Sequence, residues 1–165
     1  MKKRDIFLLA VSCVIIAVMF SLSSGYWNVL PDRIPSNFGI TGEVRSYGSK
    51  AFIFLLPAIG IFLLGSTLPF YFYPQGINLP VKLTFEEREQ MKDILGPYLL
   101  VIMAYAMALF LYIQWGSIQV AVGEREGIGF GFYIVFMSLF IISTVRATKK
   151  VKQRAAELRR TASED

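Results

Sequence analysis

Asp32, Asn37, Glu43, Arg45 and Lys50 are gathered in one turn-rich segment, residues 26–50, reading YWNVLPDRIPSNFGITGEVRSYGSK. Two carboxylates and several cations in one loop are the residue types from which acid–base chemistry or ion recognition is built. The companions that such chemistry needs are missing. The chain has no histidine, and its one cysteine, Cys13, lies in an apolar run. No H-E-x-x-H motif and no nucleophile–base pairing is present, so the expectation is a protein that is not an enzyme and has no cofactor or metal. The run Gly127-Ile128-Gly129-Phe130-Gly131 superficially suggests a phosphate loop. It has no strand before it and lacks the third glycine at the required offset, so helix packing is the better reading.

The elements that must position this loop are apolar. Residues 6–24, 51–73, 97–119 and 128–145 carry no Asp, Glu, Lys, Arg or His. A helix needs about 17–25 mostly apolar residues to cross a bilayer's hydrocarbon core. A soluble domain would instead place charge on one face of each helix. The expectation is an all-α integral membrane protein, a four-transmembrane-helix bundle forming a single membrane domain over residues 1–165. Its connections are an external loop at 25–50, a cytoplasmic loop at 74–96 and a basic tail at 146–165. Thirteen of the 17 basic residues fall at the amino end, in the middle connection and in the tail; only Arg33, Arg45, Lys50 and Arg125 fall on the other side. The positive-inside rule then puts both termini in the cytoplasm. Basic residues crowded against span ends point to anionic lipid rather than nucleic acid.

Within this frame the sequence suggests further detail. Tyr26 and Trp27 suit the outer headgroup level, and Phe70-Tyr71-Phe72-Tyr73 the inner one. Pro57 is expected to bend the second span. Thr84 and Glu87 have the spacing of a capping box, starting a short helix that runs to Gly96-Pro97, where the third span begins. Gln114, an amide toward the outer end of an apolar run beside Trp115, fits either a neighbouring helix or a ligand. Gly123, Gly127 and Gly131, four residues apart, suggest a helix-packing seam. The tail can continue the last helix with Val151, Ala155 and Leu158 on one face. The first run, preceded by Lys2-Lys3-Arg4 and followed by Ser21, Ser23 and Ser24, also has the layout of a signal peptide; its length favours an anchor.

Pro31 and Pro35 restrict the loop's path, and Leu30, Ile34 and Phe38 supply apolar anchors, so the loop is expected to be an ordered cap. The order Leu30-Pro31-Asp32-Arg33-Ile34-Pro35, Phe38, Gly42-Glu43 and Gly48-Ser49-Lys50 resembles a prokaryotic membrane-protein family catalogued as domain of unknown function 1648, over residues of about 5 to 75. The same module forms the amino-terminal part of SdpI-type immunity proteins, which protect a producing cell from a secreted peptide toxin. Asn37 stands where that family commonly has histidine; it keeps hydrogen bonding but cannot titrate near neutrality.

The resemblance implies a multi-pass protein of a prokaryotic plasma membrane. Its functional loop would comprise Leu30, Pro31, Asp32, Ile34, Pro35, Asn37, Phe38, Gly42, Glu43, Gly48 and Lys50. The expected role is sensing, binding, immunity or envelope stress at the outer face. The expected partners are the lipid bilayer, a peptide ligand outside, a protein inside and further copies of the chain, with no nucleic acid. The alternative is a transporter subunit or passive pore, for which the spans offer no charged group and Gln114, Ser138 and Ser143 as weak polar sites.

Overall fold

The computed structural model describes residues 1–73 and 84–161. Parts of the expected middle connection (74–83) and of the tail (162–165) therefore lie outside the described residues. In chain order come α1 (Lys3–Tyr26), β1 (Arg33–Phe38), β2 (Val44–Ser49) and a 3-10 turn (Lys50–Phe54). They are followed by α2 (Leu55–Phe72), α3 (Phe85–Gln90), α4 (Lys92–Ala121) and α5 (Gly131–Thr161). Among the described residues, three helical stretches are long and apolar enough to cross a membrane: Lys3–Tyr26, Lys50–Phe72 and Lys92–Ala121. Large apolar side chains face outward along them, among them Phe7, Val14 and Phe62. In water each would be a liability; against lipid tails each is solvated. This is a membrane protein, mostly helical.

Helix α4 is the centre of the bundle and packs on α1, α2 and α5. Ile16, Leu64, Met103 and Met107 meet at mid-height. Gly60 of α2 makes that approach close, since a Cβ there would lie 3.1 Å from the Met107 sulfur. Toward one end, Leu30, Ile34, Ile53 and Ile118 form a second cluster. Toward the other, Met91, Leu95, Val151 and Ala155 form a third, with Leu158 against it. The tail does continue α5, and its Val151–Ala155–Leu158 face is what closes this third cluster.

The structure departs from the sequence reading in four places. The loop is not purely irregular, so the fold is not all-α: β1 and β2 form an antiparallel hairpin with irregular register around Asn37. Pro57 sits in the first turn of α2, where a missing N–H breaks no intrahelical bond, and a 3-10 turn precedes that helix. Helix α4 begins at Lys92 and runs through Pro97 instead of starting there. Its first turns lie among charges, yet Leu95 is held by the α5 tail. Finally, Gly123, Gly127 and Gly131 make no seam. Gly123 is a turn residue at φ +81°, Gly127 lies in the α4–α5 connection, and a Cβ at Gly131 would meet nothing within 4 Å. The Thr84–Glu87 capping box is present as read.

Candidate functional site

At the hairpin end, three contacts fix the hairpin on the helices. The Ser117 hydroxyl of α4 donates to the Pro35 carbonyl at 2.9 Å, in a buried position. The Ile128 N–H of the α4–α5 connection donates to the Gly42 carbonyl at 2.9 Å, beside a bridge between Glu43 and Gly127. The Lys50 N–H donates to the Asp32 carbonyl at 3.0 Å, closing the hairpin's base. Gly42 has φ +88°, and a Cβ on it would lie 1.6 Å from the Ile128 carbonyl oxygen. Only glycine combines that backbone with that approach. Gly116 serves the same joint from below: Ile128, fully buried, rests where a Cβ would stand.

Between the hairpin and the helices lies a cleft of about 490 Å³. Strand β1 forms one wall; Phe52, Leu55 and Leu56 form another; Ile113, Gln114, Ser117 and Tyr133 complete it. Its surroundings are mainly apolar, as ligand pockets are, with few polar groups to orient an occupant. Gln114 is 1% exposed. Its amide nitrogen donates to the Ser23 hydroxyl at 2.6 Å, the Met19 carbonyl at 2.9 Å and, more weakly, the Ile53 carbonyl at 3.3 Å. One amide thus ties α4 to α1 and to the 3-10 turn. Its Oε1 accepts from no described residue. A buried acceptor left without a donor costs about 1–3 kcal/mol, so this one calls for an explanation.

Ile34, Pro35, Asn37 and Phe38 of the expected loop residues line the cleft. Leu30 is buried below it with Ile34. Gly48 makes room for the Phe52 ring, 2.4 Å from where a Cβ would be. Pro31 lies in the approach to β1 and is exposed. The charged candidates do not converge. Asp32, almost wholly exposed, pairs with Lys50 at 3.7 Å, and the Lys50 ammonium lies 4.9 Å from the Trp27 ring centre. Glu43 accepts from the Thr41 hydroxyl and from Arg45. These bonds, the Thr41 one foremost, hold its carboxyl below the usual carboxylate range. Six-residue strand β1 separates the two acids, about 20 Å of extended chain. They cannot act on one substrate atom. Among the described residues no group of three His, Cys, Asp or Glu could hold a metal ion.

Sequence reasoning overlooked Ser23, Gly116, Ser117 and Ile128 as parts of this end, because each acts through a partner far along the chain. It also overlooked Asp5 at the opposite end. That carboxylate is 2% exposed and accepts from the Tyr71 hydroxyl at 2.8 Å, while Arg4 lies 3.3 Å away. Tyr71 therefore turns inward, against Gly96, and does not join the exposed Phe70, Phe72 and Tyr73.

Residues 14–61 match the family described as Domain of unknown function (DUF1648). The match begins within α1, takes in the whole hairpin and ends within α2, so it holds two of the cleft's walls and lies inside the range expected from the motif. An uncharacterized protein of Archaeoglobus fulgidus is 33% identical over 81 residues, covering 44% of this chain and 44% of that protein. The chain thus spans less than half the length of this curated relative. No solved structure matches the chain. Residues 14–61, the hairpin with the adjoining parts of α1 and α2, are thus a match to the DUF1648 family.

Proposed function

We propose that this is a non-enzymatic, multi-pass protein of a prokaryotic plasma membrane that binds an extracytoplasmic ligand in the cleft beneath its hairpin. The occupant is an apolar group bearing an N–H or O–H donor, such as a hydrophobic segment of a membrane-active peptide. The single observation behind this reading is the unpartnered Gln114 oxygen on a residue bordering an apolar cleft. In this proposal α5 supplies a fourth crossing. Its apolar half extends the run 128–145, and its basic half begins at Arg146. The charge asymmetry supports cytoplasmic termini, with the hairpin outside. Sensing or immunity follows as the role: an occupied cleft touches α2, α4 and α5 together, and the tail helix of α5 offers a cytoplasmic partner a basic face. Association into oligomers belongs to the same proposal.

The test has two arms. In a background with Cys13 replaced, Asn37→Cys is expected to react with an impermeant maleimide in intact cells. A cell lacking the protein is expected to lose tolerance to one or more membrane-active peptides. Wild type restores tolerance and Leu56→Trp, which fills the cleft, does not. Unchanged tolerance of the deletion across the whole panel would remove the proposed role, and labelling only after lysis would reverse the topology.

A further inference from the structure

At the basic end a second cleft of about 220 Å³ opens between the start of α1, the start of α4 and the middle of α5. Its wall changes character along its length. Ser143, Arg146, Ala147 and Lys150 follow one another at helical spacing on one face of α5, with Val101 and Tyr98 of α4 opposite. Toward mid-bundle the lining is apolar or hydroxylic, with the Tyr98 hydroxyl 2.9 Å from that of Thr144. Toward the tail it is cationic. Arg4 also lines it, held by Asp5 at 3.3 Å. The one acid in the lining, Asp93, is engaged by Lys2 at 3.2 Å. Arg146 and Lys150 have no carboxylate partner among the described residues.

We propose that this cleft is a binding site for the headgroup of an anionic phospholipid, with the phosphodiester between Arg146 and Lys150 and an acyl chain running past Val101. The chemistry fits a lipid better than a free anion because the cationic part opens where α5's apolar run ends, the depth of headgroups. A lipid bridges both halves of the cleft at once; inorganic phosphate fills only the cationic half. Basic pockets between membrane helices are the general setting for such headgroups. The site is independent of the hairpin cleft and of which way the protein faces, since it needs only a leaflet at that depth.

The full chain, purified in detergent, is to be examined by native mass spectrometry with dioleoyl phosphatidylglycerol, with dioleoyl phosphatidylcholine, and with inorganic phosphate or glycerol 3-phosphate as competitors. Each basic group near an anionic headgroup contributes about fivefold, so the double variant Arg146→Gln/Lys150→Gln is expected to weaken phosphatidylglycerol retention about thirtyfold. Lys149→Gln/Lys152→Gln removes the same charge from the same helix but outside the cleft, and is expected to change retention less than about threefold. All four residues but none of their backbone is altered, and each is exposed except at the cleft, so folding is retained. Equal loss in both double variants would overturn the site in favour of diffuse attraction. Equal retention of the two lipids would overturn it too. Displacement of the lipid by millimolar phosphate would reassign the cleft to a soluble anion.

Discussion

The joint between the hairpin and the α4–α5 connection is best probed at Gly116. A methyl group there lands 2.0 Å from Ile128 Cγ2 and 3.1 Å from Ile128 Cβ. Carbon atoms rest about 3.5–4.0 Å apart, so Gly116→Ala is short by about 1.5 Å against the methyl. Ile128 is β-branched: turning Cγ2 away swings Cγ1 toward the same space. The residue must instead lift from α4, and its N–H bond to the Gly42 carbonyl lifts with it. Overpacking of this kind costs about 1–3 kcal/mol, which for a chain of this size lowers the melting temperature by about 2–10 °C. Ile128→Ala removes the offending methyl and leaves only the 3.1 Å contact, a few tenths of an ångström too close. By itself it costs about 2–5 kcal/mol through lost packing. The double variant is therefore expected to melt no lower than Ile128→Ala alone, a coupling of about 1–3 kcal/mol between the two sites. Thermal unfolding in detergent of all four proteins measures it. Strict additivity, or a Gly116→Ala protein as stable as wild type, would refute the steric account of how the two loops are joined.

Two more perturbations follow from single side chains. Gln114→Glu places an acceptor against the Met19 and Ile53 carbonyls, whereas Gln114→Leu only withdraws donors that the Ser23 hydroxyl partly replaces. Leu is expected to cost about 1–3 kcal/mol and Glu more, by thermal unfolding near neutral pH; the opposite order would show that the amide nitrogen does not face those carbonyls. Glu87 is held below the usual carboxylate range by the Thr84 backbone N–H first, and by Arg159 of the tail helix. A lowered folded value means that its contribution is complete above about pH 4.3 and fades as pH falls through the folded value. The protection factors of amides at the end of α5, with the pH dependence of intrinsic exchange divided out, are expected to fall on acidification through that window in wild type but to stay constant there in Glu87→Gln. An identical acid response in both proteins would detach Glu87 from tail docking.

The three long apolar helices were legible because hydrocarbon tolerates no charge, and that rule acts locally on composition. Even there the edges moved. Asp5 borders the first run and reads as a solvated charge, but Tyr71, 66 residues later, buries it. The hairpin was legible only as an ordered loop. Strand β1 contains Pro35, which offers no N–H to the ladder, and the bulges beside Asn37 erase the two-residue alternation that marks a strand. Its carbonyl finds Ser117 instead, 82 residues away. Gly123, Gly127 and Gly131 show why spacing alone misleads: every fourth residue is small in a packing seam and also, by coincidence, in a turn followed by a loop contact. What separates the two is whether Gly42 arrives opposite Gly127, which depends on the fold.

Most of the candidate site's physics comes from this long-range wiring. A loop that binds by closing must lose conformational entropy at each ordered residue, and that loss is subtracted from affinity. Here the hairpin is already held at its base by Asp32 and Lys50, on its flank by Pro35 and Ser117, and at its tip by Gly42 and Ile128. The cleft's backbone walls are consequently fixed by the fold, and a ligand bound as proposed would order little of the chain. The unpartnered Gln114 oxygen is itself buried, so an occupant's donor recovers its cost only where the Gln114 side chain turns toward the cleft. In the proposed binding role, a cleft held by three joints would pass an occupant's push to α4 and the α4–α5 connection. Breaking any one joint should therefore loosen the response to a ligand before it unfolds the bundle.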